Sequence, residues 1–164
     1  SPKQMINFTD RLLLVYTGIS RHASKIAEVQ VNNFSVKFKN IANLQEMACN
    51  AKKILEKNEN IDDFGLLLNE GWMHKKDLAN NVSNETIDKL YDLGIKNGAL
   101  GGKLLGAGGG GFILFFAKNG RMQNLKDSLN KYSFLPVKLA DSGLEIKIEG
   151  NLEYSDFHRD LWDK

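Results

Sequence analysis

Between Gly98 and Ala117 the chain reads GALGGKLLGAGGGGFILFFA, and eight of its fifteen glycines fall between Gly98 and Gly111. Gly106, Ala107, Gly108, Gly109, Gly110 and Gly111 carry a single methyl group among them. So bare a backbone is costly to order, because glycine loses more conformational freedom on folding than any other residue. Something must lie against it to offset that cost. Successive bare N–H groups form a nest that attracts anions, as a phosphate-bearing ligand would require. A glycine turn packed under a neighbouring chain segment needs the same residues, and composition alone leaves both readings open.

Two nucleotide-binding patterns fail on context. Gly106, Gly108 and Gly111 match G-x-G-x-x-G, but the dinucleotide fold needs a helix directly after the glycines. Phe112-Ile113-Leu114-Phe115-Phe116 follows instead, an apolar aromatic run that reads as a buried strand. The Walker A pattern would require glycine where Asn97 stands, and Ser or Thr where Leu104 follows Lys103. The loop therefore reads as the turn of a hairpin, with strands at about Lys103–Leu105 and Phe112–Ala117.

The elements that must position this loop follow from periodicity. Arg11–Tyr16 is a short apolar run ending at Thr17-Gly18, a buried strand. Helical patterns run over Ala23–Val31 and about Ser35–Lys57, the second with Ile41, Leu44, Ala48, Ala51 and Leu55 on one face. Asp62 or Asp63 is positioned to cap a third helix, with Phe64, Leu68 and Trp72 sharing a face. Ser83 or Asn84 caps Glu85–Asn97, which turns Ile87, Leu90, Tyr91 and Ile95 inward and stops at Asn97-Gly98. After the hairpin, Asn119-Gly120 leads into a helix carrying Met122, Leu125, Leu129 and Tyr132. Phe134–Ala140 reads as a strand whose Pro136 marks an edge or bulge. Asp141-Ser142-Gly143 is a turn, and Leu144–Glu149 alternates cleanly as a half-exposed strand. The sum is an α+β fold: an antiparallel sheet of four to five strands with helices packed on one side.

Composition narrows the classes. The 164 residues fit one domain with a sizeable core; hydrophobic content is 42% and charged content 26%. A net charge of +2 with no basic stripe argues against nucleic acid and against a membrane surface. Lys52-Lys53 and Lys75-Lys76 are interleaved with acids and read as solvated faces. The single cysteine, Cys49, forms no internal disulfide and reads as a small buried hydrophobe. No hydrophobic run approaches membrane-spanning length and no signal peptide is visible, so the expected compartment is the cytoplasm. His22, His74 and His158 lie at no metal-ligand spacing, so no metal site is expected. The chain opens at Ser1 and reaches a strand almost at once, which reads as a fragment or a processed piece.

The segment Gly102-Lys103-Leu104-Leu105-Gly106-Ala107-Gly108-Gly109-Gly110-Gly111-Phe112 resembles the third, C-terminal motif of the GHMP kinases. Leu13–Arg21, Leu68–Trp72 and Val82–Asp88 resemble segments of the sugar-phosphate branch of that family, the D-glycero-D-manno-heptose 7-phosphate kinases. The likeness runs from about Leu12 to Ala117. It implies that residues 1–150 form a GHMP kinase C-terminal domain of the same α+β kind, followed by a tail at 151–164. It implies ATP and Mg²⁺ as cofactors, held mainly by an N-terminal ATP-binding domain absent from this chain. No P-x-x-x-G-L-x-S-S-type segment occurs here, and by this likeness no catalytic residue belongs to the chain, which alone would be inactive. The implied reaction transfers phosphate to a sugar phosphate, a heptose 7-phosphate at its anomeric hydroxyl. Galactose, fucose and mevalonate are rival substrates, and a non-catalytic ligand-binding or regulatory domain is the rival class.

Under this resemblance, Gly106 to Gly111, with Ala107, support the nucleotide-phosphate loop of the missing domain. Gly108→Ala is then expected to cost more activity than stability. Arg21 follows a strand and a turn, and its guanidinium matches a phosphate bidentately; otherwise it is an exposed arginine of a first helical turn. Ser20 either donates to the same phosphate or caps a helix. Glu70 either bonds a sugar hydroxyl or faces solvent. Trp72 favours core packing over stacking on a sugar ring. Lys103 either neutralises phosphate or lies at a strand edge. An apolar surface around the hairpin, bare without its partner domain, is expected to favour a homo-oligomer.

Overall fold

The computed structural model describes residues 2–20, 31, 37–57 and 60–139. The elements are α1 (Pro2–Thr9), β1 (Leu12–Tyr16), α2 (Phe38–Lys57), α3 (Asp62–Lys76), α4 (Glu85–Lys96), β2 (Ala99–Leu104), β3 (Phe112–Ala117), α5 (Met122–Ser128) and β4 (Phe134–Pro136). The sheet is antiparallel with strand order β2-β3-β1-β4. The α+β reading with a four-stranded antiparallel sheet is therefore correct, but helices pack on both faces rather than one: Phe115 meets Tyr91 of α4 on one face, and Phe116 meets Phe8 of α1 and Phe64 of α3 on the other.

The core follows from alternation along the two central strands. Leu13 and Val15 of β1 and Ile113, Phe115 and Ala117 of β3 are buried with Ile87, Leu90 and Tyr91 of α4 and Leu125 of α5. Phe116 points the other way, as adjacent strand residues do, and meets Phe8 at 5.5 Å and Phe64 at 5.4 Å between ring centroids. Asn84 caps α4: its backbone is extended and its side chain accepts from the Ile87 N–H at 3.1 Å. Tyr91 is clamped by its hydroxyl, 2.6 Å from Asn69 Oδ1 and 3.2 Å from the Gly102 carbonyl oxygen. Burial pushes this phenol well above its ordinary pKa, against the Gly102 bond and with the aid of the Asp92 charge.

Several expectations require correction. β2 begins at Ala99, four residues before the predicted start, because its glycines admit a helix rather than form a loop. A methyl on Gly101 would stand 2.0 Å from the Gly65 carbonyl oxygen of α3. Asp62 and Asp63 do not cap α3; the cap position is Ile61 and makes no side-chain bond. Asp62 instead pairs with the buried Arg11, whose Nε donates to the Ala117 carbonyl at 2.8 Å and whose guanidinium lies over the Phe116 ring. In α2 the buried residues are Met47 and Ile54, whereas Leu55 is 45% exposed, because α3 covers a face rotated from the predicted one. Cys49 is exposed. Tyr132 lies beyond the end of α5. β4 stops at Pro136 but occupies a sheet edge, where proline costs no ladder bond. The predicted helix at 23–31, all but its last residue, and the strand at 144–149 and the tail lie outside the described residues. Among the described residues no helix is long and apolar enough to cross a membrane.

Candidate functional site

The loop 105–111 joins β2 to β3, closed at its base by the Leu105 N–H donating to the Phe112 carbonyl at 2.8 Å. It threads between two other backbone segments. On one side the Gly109 N–H donates to the Val82 carbonyl at 2.8 Å, and Asn84 Nδ2 lies 3.4 Å from the Gly109 carbonyl oxygen. On the other the Gly111 N–H donates to the Ile19 carbonyl at 2.9 Å, and the Gly111 carbonyl accepts from both the N–H and the hydroxyl of Thr17. The described part of the first segment singled out in the sequence, 13–20, and the segment 82–88 thus converge on the loop.

This separates the glycines by cause. Gly108 and Gly110 are there because other backbones approach. A methyl on Gly108 would meet the Val82 Cα and carbonyl oxygen at 2.9 Å, and one on Gly110 would meet the Ile19 carbonyl oxygen at 2.6 Å. Gly106 and Gly111 face open space but hold φ of +70° and +95°, which favours glycine. The amides of Gly106, Gly108 and Gly110 have no acceptor among the described residues. The three glycines line a hollow of about 250 Å³ with Tyr16, Ile19, Ser20 and Leu105.

Lys75 of α3 donates to the Leu104 carbonyl at 2.9 Å and to the Gly106 carbonyl at 2.5 Å, holding the strand-to-loop junction. Burial, with help from the Lys103 charge, pulls its pKa down to about 8. The sequence reading took Lys75 as solvated. The missed signal is its position three residues after the fully buried Trp72, on the flank of the buried face.

Of the candidate residues, Ser20 lines the hollow and is exposed. Arg21 lies outside the described residues. Glu70 is exposed on α3, 3.8 Å from His74. Trp72 is wholly buried, its ring centroid 6.1 Å from that of Tyr91, which is the core role favoured for it. Lys103 lines a separate groove with Leu44 and Met47 between α2 and α3. The structure brings Ser20 to the glycines and leaves Glu70, Trp72 and Lys103 out of the hollow.

The hollow can supply oriented N–H dipoles to an anion. Its described residues supply no carboxylate or imidazole, and no His, Cys, Asp or Glu cluster among the described residues is placed to hold a metal ion. These residues therefore fit a phosphate group and do not fit a Mg²⁺ ion.

Residues 40–133 match the family model described as GHMP kinases C terminal. The chain is 34% identical over 126 residues to the D-glycero-alpha-D-manno-heptose 7-phosphate kinase of Campylobacter jejuni, covering 74% of this chain and 36% of that protein. It is 31% identical over 144 residues to the bifunctional fucokinase/GDP-fucose pyrophosphorylase of Arabidopsis thaliana, covering 85% of this chain and 14% of that protein. In fold it is similar to the L. major mevalonate kinase crystallised with R-mevalonate: the TM-score is 0.66 at 24% identity, over 73% of this chain and 37% of that one. The chain thus spans well under half the length of each of these relatives.

Proposed function

The chain belongs to the GHMP kinase family, matching its C-terminal domain, and on that footing we propose that it forms part of an ATP-dependent kinase for a small sugar phosphate. The observation that carries this reading is the set of amides of Gly106, Gly108 and Gly110, unpaired among the described residues, on a loop held by Val82 on one side and Ile19 on the other. Phosphoryl transfer is catalysed mainly by positioning and by dipoles aimed at developing negative charge. Amides on a loop already held by the Gly109–Val82 and Gly111–Ile19 bonds would supply such dipoles with little reorganisation when the phosphate arrives. Ser20, at the rim of the hollow, adds a hydroxyl donor, and Lys75 stiffens the loop through the Gly106 carbonyl.

Mg²⁺, when bound, neutralises the phosphate charge. Its ligands, the nucleotide cradle and the catalytic acid are proposed to belong to an N-terminal domain outside these residues. On this reading the enzyme works in the cytoplasm, where ATP is supplied.

For the substrate we favour a heptose 7-phosphate, phosphorylated at its anomeric hydroxyl, supported by 34% identity to a kinase of that name. The likeness to a fucokinase and to a mevalonate kinase keeps fucose and mevalonate in the test, with galactose. The experiment is ATP-dependent phosphorylation by the protein whose gene encodes this chain, assayed against that panel. Heptose 7-phosphate is expected to exceed the others by about tenfold or more in kcat/KM, about 1.4 kcal/mol of transition-state discrimination. Preference for another sugar or for mevalonate moves the assignment to that substrate. No turnover of any, with retained binding of ATP or a sugar phosphate, supports a ligand-binding domain of kinase ancestry.

A further inference from the structure

A second cluster of cations lies at the opposite end of the β2–β3 hairpin. Ala99 opens β2 and Ala117 closes β3, and six-residue strands place that end about 20 Å from the glycine loop. There, a cleft of about 360 Å³ is lined by Lys96, Lys118 and Arg121, with Asn97 and Asn124 beside them. No described lining residue is acidic, and none of the three cations forms an ion pair with a described carboxylate. Lys96 has a local reason to be there, because a cation in the last turn of α4 complements the helix dipole. Lys118 and Arg121 have no such reason.

The cleft has a fixed floor. The Lys118 N–H donates to the Gly98 carbonyl at 2.8 Å, and the Arg121 N–H donates to the Lys118 carbonyl at 2.9 Å. A methyl on Gly98 would stand 2.8 Å from Arg121 Cβ, so the turn carrying both cations is packed directly on the end of α4. Asn97 spends its amide N–H on the Leu93 carbonyl at 2.7 Å, which leaves its Oδ1 as an acceptor.

We propose that this cleft binds a small phosphorylated metabolite, independently of the glycine loop. Three like charges around one hollow repel each other unless an anion joins them, and the Arg121 fork suits a phosphate bidentately. The volume falls in the range of small-ligand sites, and the asparagine amides suit the hydroxyls of a sugar. A small anion fits three cations gathered around one cleft better than an extended polyanion, which needs a continuous basic stripe.

The test is amide chemical-shift titration of the full chain with inorganic pyrophosphate and with fructose bisphosphate at near-physiological salt. Saturable shifts are expected at Gly98, Lys118 and Arg121, with a Kd of about 1 mM or tighter. Both side chains are exposed, so the double variant Lys118→Gln/Arg121→Gln should fold normally and bind about tenfold more weakly. The proposal is overturned by no saturation, by equal affinity in the double variant, or by shifts confined to Gly106–Gly111. Binding of a single-stranded oligonucleotide at the same residues and more tightly would overturn it in favour of a polyanion surface.

Discussion

The Lys75 ammonium and the Gly106 carbonyl oxygen stand 2.5 Å apart, linking α3 to the first glycine of a loop that follows 31 residues later. Replacing Lys75 by Met removes this bond and its companion to Leu104, but also removes the cost of burying a charge. Global stability should therefore change by less than about 1 kcal/mol. Local order should fall, with amide exchange at Gly106–Gly109 rising about tenfold in the native state. Unchanged exchange there would show that Lys75 does not hold the loop.

The depressed pKa of Lys75 sets a direction for stability against pH. In the folded chain it titrates at about 8, and unfolded at its ordinary 10.5. Between these values the unfolded chain binds more protons, so the Lys75 contribution to stability rises with pH over that interval. Urea midpoints at pH 8 and pH 10 should differ by more in the parent than in Lys75→Met. Lys103→Gln, which removes the neighbouring charge, should reduce the rise. Equal pH responses in the parent and Lys75→Met would contradict the assignment.

Two alanine substitutions in the loop should part company. Gly108→Ala places a methyl against the Val82 backbone at φ +123° and should destabilise the fold by about 2–3 kcal/mol, alongside any loss of activity. The close Val82 backbone thus argues for a stability loss beside the mainly functional effect expected from the sequence. Gly106→Ala meets no neighbouring atom and holds φ +70°, so its cost should be about 1 kcal/mol. Thermal unfolding of both variants checks the order, and Gly106→Ala is the better reporter of function.

Arg11 is buried and Asp62 is partly exposed, and their pair ties β1 to the first turn of α3. Asp62→Asn leaves the guanidinium without its counter-charge and should cost about 2 kcal/mol, between a surface pair and a fully buried one. The loss should be smaller when Arg11→Met is already present, and a double-mutant cycle measures that coupling. Strict additivity would show that the pair contributes nothing.

Apolar runs and glycine stops were legible because each acts locally. Leu12–Tyr16, Phe112–Ala117 and the Asn84-capped helix α4 declare themselves by pattern. β2 was misread because Gly101 and Gly102 signal a loop unless one knows that Gly65 of α3 presses on them. The role of Asp62 was misread for the same kind of reason, since its partner lies 51 residues away. At the site, the glycines were visible, but which faced a backbone and which faced open space depended on Val82 and Ile19. Lys75 was hidden because its polar type outweighed its place beside Trp72.

The pairing of β1 with β3 has a consequence for how the chain is made. Leu14 faces Leu114, one hundred positions later, and the other neighbour of β1, β4, comes later still. On a ribosome, the run Leu12–Tyr16 emerges and waits about 5–20 s before its first partner strand is synthesised. During that interval an apolar strand with two open edges is available to other nascent chains. The central position that buries β1 in the finished sheet therefore leaves it unpaired for longest among the four strands during translation.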